Sequence, residues 1–462
     1  MIESIQPIKN ILDNIVLDGD YNTTQTALIL GSLSDSEVII NNYSKGIDTS
    51  HTTALLTSLG CSLTITDEKI TVKKSEETES DDCAELVYLG GITPLCMIIG
   101  LLAGRNRMCR LCYSDSVNPD GIEHIVMFLN RYGLDITNHD PAHLGIEGKY
   151  GGVLMFRESE LKPIDCRLES AYAHIKNSLL VYGLASGCSI SFQEDKLTPD
   201  YIKKMITQLG GKIEMNEAKQ VWVTDPDDPR KRVRVNDIDC AREERLPASS
   251  KLNGGEVDVP NDFYGTAALL TLAVLKRTGI TIREALLNRG MMKLLNFLKS
   301  SGAEFGIEDR TTINGRVIGT IIFEGNKLKG RKIFGRQAAG LIDSIPFIAL
   351  MAVISDGTTI IRDIEEYTEF NCGALSEISV GLNQMDIKPG VLEDGMAIEN
   401  VRELNGADFK AFSDRETALA FYMAALAGVG KSSMAGFDMI VQNYPVLTGM
   451  LNSDTIKTEI FT

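Results

Sequence analysis

The sequence predicts an α/β protein of two similar globules, each holding three copies of one βαβαββ-like unit. Three observations carry this. The stretch Gly340–Glu399 reads as helix, strand, helix, strand, strand. Five other stretches repeat that order at a period of about 50 to 70 residues, the kind of self-similarity that marks a repeat architecture. An irregular, highly charged passage, Asp225–Gly255, separates three copies from the next three.

In the Gly340 unit, Ile345–Ile354 is an apolar run of helical length closed by Asp356-Gly357, and glycine is the usual helix terminator. Thr358–Ile361 is a β-branched strand, Ala374–Met385 an amphipathic helix, and two short strands flank Glu393-Asp394-Gly395. Taken from the start, Ile5–Ile8 and Ile15–Leu17 read as short strands ahead of the first copy. That copy runs Thr24–Leu33, Glu37–Ile40, Ser50–Leu59 and Cys61–Ile65. The second runs Pro94–Ala103, Arg107–Leu111, Ile122–Tyr132 and Leu134–Thr137. The third runs Ala173–Ala185, Cys188–Phe192, Pro199–Leu209 and Lys212–Met215. After the charged passage, with strands expected at Val233–Val235 and Glu256–Val259, the fourth runs Phe263–Lys276, Ile280–Arg283, Met291–Ser300 and Ala303–Ile307. The sixth is Glu416–Ala427, Lys431–Ala435 and Tyr444–Leu451. The expected division puts residues 20–255 in one globule and residues 1–19 with 256–462 in the other, a ligand cleft lying between them.

At 462 residues the chain is long for a single core, which agrees with two. Apolar residues make up 44% and charged ones 24%, the balance of a water-soluble globular protein. Apolar runs fall short of the ~18 residues a membrane span needs, and MIESIQPIKN lacks a cationic segment followed by an apolar one, which argues against secretion. Nine irregularly spaced cysteines point to reduced thiols and a cytoplasmic protein. A net charge of −17 argues against nucleic acid or an anionic membrane as partner and leaves a small molecule in the cleft. Cys109-Arg-Leu-Cys112, a lone pair, reads as core thiols rather than a metal or redox site, and no metal or cofactor is expected. Gly428-Val-Gly-Lys-Ser-Ser precedes a strand, not a helix, and reads as a tight turn rather than a phosphate loop.

QPI followed by IVLDGDYNTTQTALILGSL resembles the N-terminal signature of the 5-enolpyruvylshikimate-3-phosphate synthase family. So do LGGITPLCMIIGLLAG, AYAHIKNSLLVYGLASG, VPNDFYGTAALL, LIDSIPFIALMAVISDG and SDRETALAFYMAALAG, in order and at matching intervals over nearly the whole chain. The resemblance implies the enolpyruvyl transferase fold, an inverse α/β barrel of three βαβαββ units in each of two globules that close on the ligand. It also implies transfer of an enolpyruvyl group from phosphoenolpyruvate to a substrate hydroxyl. UDP-N-acetylglucosamine enolpyruvyl transferase is similar, but less so.

That chemistry requires lysines and arginines for a phosphate and a carboxylate, a carboxylate to take the hydroxyl proton, and an acid for the methylene carbon. The family's cations are largely replaced. Tyr21 and Asn22 stand where it has Lys and Ser, and Thr26, Cys96 and Asp120 where it has Arg. Its Lys-Glu-…-Arg stretch falls on Phe370, Asn371 and Ala374, its last Lys on Gln442, and its phosphate-holding Ser-Ser-Gln on Tyr172, Ala173 and His174. Charged hydrogen bonds contribute roughly 1.5–3 kcal/mol each, so losing about eight removes on the order of 10–20 kcal/mol, against about 8 kcal/mol for micromolar binding. Ordinary use of the two phosphorylated substrates is therefore not expected.

Some carboxylates match. Asp343 falls on the family's proton-accepting Asp and is the candidate catalytic residue, though it also suits the N-cap of Ile345–Ile354. Asp48 matches too, as ligand contact or cap of Ser50–Leu59; Asp262 suits the cap of the Phe263 helix. Arg415, where the family has His, is an expected anion contact. Lys176 is expected to be structural, and Glu365, Glu366 and Glu369 form an acidic cluster where the family is cationic. The candidate substrate-binding set is Tyr21, Asn22, Thr26, Asp48, Cys96, Asp120, Tyr172, His174, Asn371, Arg415 and Gln442. Two readings stay open: a divergent enzyme acting on a small polyhydroxylated ring, by enolpyruvyl transfer or a carboxylate-driven elimination, and an inactive ligand-sensing or partner protein.

Overall fold

The structure is a computed structural model that describes residues 2–8, 17–74, 84–148, 150–168, 173–194, 198, 201–216, 222–225, 228–234, 243–313, 315–364 and 374–452. Its first eight helices are α1 (Tyr21–Gly31), α2 (Ile47–Ser58), α3 (Ile92–Arg105), α4 (Pro119–Asn130), α5 (Ala173–Ser186), α6 (Tyr201–Gln208), α7 (Phe263–Lys276) and α8 (Arg289–Ser300). Later helices include Ile345–Val353, Ala374–Gln384 and Arg415–Ala427. The expected Tyr444–Leu451 helix is found as Pro445–Asn452, and an unforeseen helix, Phe437–Asn443, precedes it and stops there because Pro445 offers no N–H to continue it.

Each repeat builds its own small sheet. In the second, Ala84–Tyr88 pairs in parallel with Cys109–Ser114, which pairs antiparallel with Tyr150–Arg157, and that strand with Asp135–His139. The third has the same pattern, with Ile164–Leu168, Ile190–Glu194, Glu243–Leu246 and Glu214–Asn216. A parallel pair needs a crossover, which a helix supplies, whereas antiparallel neighbours can follow a short turn. That is why the unit reads helix, strand, helix, strand, strand. The fifth sheet follows suit, from Lys332–Ile333 through Thr358–Ile361 and Gly395–Glu399 to Gly390–Leu392.

Two sheets borrow a strand from far along the chain. Gly255–Asp258 pairs in parallel with Val38–Asn41, so the first repeat takes a strand from beyond the charged passage. Ile2–Ile5 pairs antiparallel with Ser432–Ala435, so the chain's first strand joins the last repeat. The expected boundary at 255/256 thus falls inside a strand, and Val257 and Val259 pack in the core with Ala27–Leu252. A separate core gathers Ile5, Ile8, Leu17 and residues from Phe263 to Leu451.

The inner helices α1, α3, α7, Ile345–Val353 and Arg415–Ala427 are buried almost all round, while α4, α6 and α8 bury one face. Packing of α3 on α5 depends on Gly100: a Cβ there would lie 2.1 Å from the Ser178 carbonyl oxygen. Lys176, fully buried on α5, pairs with Glu194 at 3.2 Å and donates to Thr198, the structural role expected of it. Cys109 and Cys112 lie three residues apart on one strand, so their thiols face opposite sides of the sheet.

The two halves meet at a pair of crossed helix starts. Asp20 accepts from the Thr23 N–H of its own helix at 2.8 Å and from Phe263 N–H of α7 at 3.3 Å. Asp262 accepts from Gly265 N–H of α7 at 2.7 Å and from Tyr21 N–H of α1 at 3.1 Å. Each aspartate caps its own helix and ties down the other. Asp262 was expected as a cap; the exchange with α1 needs both halves in place. Burial and the neighbouring Asp20 push the Asp262 carboxyl up to about 7.

Candidate active site

A cavity of about 320 Å³ is lined from both halves, by residues that include Asn22, Asp48, His51, His174, Tyr201, Tyr264, Asp343, Asp414, Arg415, Glu416 and Gln442. On one side it is floored by the start of α2, whose N-cap is Gly46. That position cannot carry a side chain, since a Cβ would sit 2.7 Å from the Asn443 carbonyl oxygen of the other half. Asp48 falls in the first turn of α2 and makes no capping bond. Its Oδ2 instead accepts from the Tyr21 hydroxyl at 2.7 Å, the Gly91 N–H at 3.0 Å and Arg415 Nη1 at 2.8 Å. Its other oxygen lies 3.8 Å from His51 Nδ1. Burial works to raise the Asp48 pKa, but His51, Arg415, Tyr21 and Gly91 outweigh it and hold the carboxyl below its usual range.

Arg415 opens the Arg415–Ala427 helix, capped by Asp414 through the Thr417 N–H at 2.8 Å. Its Nε donates to Glu416 at 2.7 Å, and its guanidinium carbon stands 3.7 Å from the centre of the Tyr21 ring. The expected anion contact is therefore engaged by this chain's own carboxylates and by a tyrosine face. Asp414 is pushed well up by burial and by Glu416.

Asp343 occupies a short 3-10 turn, Ile342–Ser344, ahead of the Ile345–Val353 helix. The capping reading fails here: Ser344 holds the N-cap position, and no side-chain capping bond is made. Asp343 faces the cavity, and burial together with Glu416 and Asp20 pushes its carboxyl up to about 6. At pH 7 most of it is ionised and able to accept a proton. His174 is pushed down to about 4 by burial and stays neutral. The side-chain oxygen of Asn22 is buried at the cavity edge with no hydrogen-bond donor.

Among the candidates, the structure brings Asn22, Asp48, His174, Asp343, Arg415 and Gln442 to one cavity, with Tyr21 just beneath, against a smaller void beside Arg415. Thr26, Cys96 and Asp120 do not line it. The Thr26 hydroxyl is turned back to the Asn22 carbonyl at 2.7 Å inside α1. Cys96 is fully buried in the core of its half, and Asp120 is exposed in the first turn of α4. Tyr172, Asn371, Glu365, Glu366 and Glu369 lie outside the described residues. The sequence reading missed His51, Tyr201, Tyr264 and Glu416 as lining groups; His51, one helical turn past Asp48, had a legible signal in that spacing.

The cavity's charge is lopsided. Among its described lining residues four carboxyl groups, Asp48, Asp343, Asp414 and Glu416, accompany the single guanidinium of Arg415, and of the four only Asp414 is pushed well up toward its neutral form.

A family model described as EPSP synthase (3-phosphoshikimate 1-carboxyvinyltransferase) matches residues 5–450. The 3-phosphoshikimate 1-carboxyvinyltransferase of Synechococcus sp. (strain JA-3-3Ab) is 26% identical over 448 residues, covering 96% of this chain and 94% of its own. That of Desulforamulus reducens is 25% identical over 456 residues, covering 98% and 99%. Among solved structures, EPSP synthase from Acinetobacter baumannii superposes with a TM-score of 0.74 at 20% identity over the full length of both chains. The enolpyruvyl transferase NikO from Streptomyces tendae does so at 0.69 and 16%, covering 98% of this chain and 97% of its own. By this match, and by the repeated small-sheet architecture behind it, the chain belongs to the EPSP synthase family and has the two-globule enolpyruvyl transferase fold.

Proposed function

We propose that this family member acts on a small polyhydroxylated ring that is less anionic than the family's phosphorylated substrates, with Asp343 taking a proton from a ring hydroxyl. The observation that carries the reading is the cavity's charge: the carboxylates of Asp48, Asp343 and Glu416 stand against one arginine, itself matched by Asp48 and Glu416, while Asp414 is pushed toward its neutral form. A phosphate together with a carboxylate would enter that field against repulsion, with no unmatched cation among the described lining residues to receive them. Neutral hydroxyls find acceptors in Asp343, Asn22 and Gln442. Asp343, ionised above about pH 6, is the base, and His51 and His174 lie in the same cavity for further hydrogen bonds. We place this activity in the cytoplasm, on the cysteine content; among the described residues no helix is long and apolar enough to cross a membrane.

Thermal shift of the full chain tests the reading. Shikimate and uncharged cyclitols should raise the unfolding midpoint, whereas phosphoenolpyruvate with shikimate 3-phosphate should not. Stabilisation by the phosphorylated pair, or phosphate release from it, would overturn the proposal. Silence across the panel would favour an inactive member of the family.

A further inference from the structure

We infer that the ligand of this cavity carries an ammonium group beside its hydroxyls, and that Asp343 is the residue that receives it. The inference rests on the preceding reading and narrows it from a less anionic ring to an amino-polyol.

The argument follows the charges lining the cavity one at a time. Asp48 is matched by Arg415 at 2.8 Å, with Tyr21 and Gly91 as further donors. Glu416 is matched by Arg415 Nε at 2.7 Å. Asp414 accepts from the N–H and the hydroxyl of Thr417 in the helix it caps. Asp343 is the carboxylate left over. It makes no hydrogen bond or ion pair among the described residues, and the helix that follows it does not use it as a cap. The other titratable groups facing the cavity do not balance it: His51 leans on Asp48, His174 is neutral, and burial keeps the Tyr201 and Tyr264 hydroxyls protonated.

Among the described residues the site therefore lacks one positive charge. Leaving a carboxylate unpaired in a partly desolvated cavity is costly, which its upward shift to about 6 expresses. A ligand ammonium within hydrogen-bond reach would meet that deficit with a charge-assisted bond. The second unmatched acceptor, the buried side-chain oxygen of Asn22, is an independent demand for a donor in the same cavity. A volume of about 320 Å³ lies at the small end for ligand pockets and suits a single substituted ring.

The test is calorimetric titration of the full chain with 2-deoxystreptamine as the amine probe, scyllo-inositol as the neutral one and shikimate 3-phosphate as the anionic one. The expected result at pH 7.5 is at least tenfold tighter binding of the amine than of the neutral cyclitol. Asp343→Asn should abolish that preference, so that the amine binds the variant no more tightly than the neutral cyclitol does. Wild-type preference for the amine should also shrink as pH falls below about 6, where Asp343 takes up a proton. Equal or tighter binding of the neutral cyclitol overturns this inference and leaves the less anionic reading standing. Preference for the anionic probe overturns both. Absence of binding by all three overturns the inference, and an amine preference that survives Asp343→Asn removes Asp343 from it.

Discussion

Replacing Arg415 by Met removes a joint that connects the two halves across 367 residues of chain. Arg415 is 16% exposed and Asp48 8%, so this is a buried pair, for which loss of one partner typically costs about 3–5 kcal/mol. Methionine keeps most of the stem's packing but forfeits the stacking on Tyr21, worth roughly 0.5–2 kcal/mol, and leaves Asp48 and Glu416 unneutralised. A destabilisation of about 4 kcal/mol is therefore expected for Arg415→Met, measured by urea unfolding followed by circular dichroism. Asp48→Asn and the double variant complete a cycle whose coupling energy should lie between about 1 and 3 kcal/mol. Repeating the cycle in 1 M NaCl should change the coupling little, because buried charges are poorly screened. A single-variant loss below about 0.5 kcal/mol, or a coupling that vanishes in salt, would show that the contact is a solvated surface pair and refute the reasoning.

Asp343→Asn should stabilise the protein at neutral pH. The folded state lifts this carboxyl from 3.8 to about 6, so its stabilising contribution is complete below pH 3.8 and is lost as pH rises through about 6. The variant should gain roughly 1–3 kcal/mol over wild type at pH 7.5 and much less at pH 4, by urea unfolding at both; an equal gain would sink the assignment. Lys176→Met should cost about 3–5 kcal/mol by stranding Glu194, and Lys176→Met with Glu194→Leu should recover most of it; failure of the second change to rescue would mean that Thr198 and the surrounding packing carry the site.

Most elements could be read before the structure because their cause is local. Apolar periodicity set the inner helices, β-branched runs the strands, and Asp before a helix its start, as Asp262 shows. The site residues were only partly legible. Aligning Thr26, Cys96 and Asp120 with family positions could not say that the first two face the core and the third the solvent. Asp48 and Asp343 both stand where a cap is usual, and neither caps. Whether a carboxylate at a helix start bonds that helix or turns elsewhere depends on what else approaches it. Here the answer came from Tyr21, Gly91 and Arg415 for one and an open cavity for the other.

What the sequence by itself determined is the repeat, its elements and the shortage of cations at the family's positions, since composition and period need no partner to be expressed. Only the tertiary structure decided which strands cross over, with Gly255–Asp258 joining Val38–Asn41 and Ile2–Ile5 joining Ser432–Ala435. It alone decided, too, that the cavity's arginine is engaged by Asp48 and Glu416 while Asp343 has no charged partner among the described residues. The reason is physical: hydrogen bonds and Coulomb attraction act over a few ångströms of space, and residues hundreds of positions apart meet only when the chain has folded.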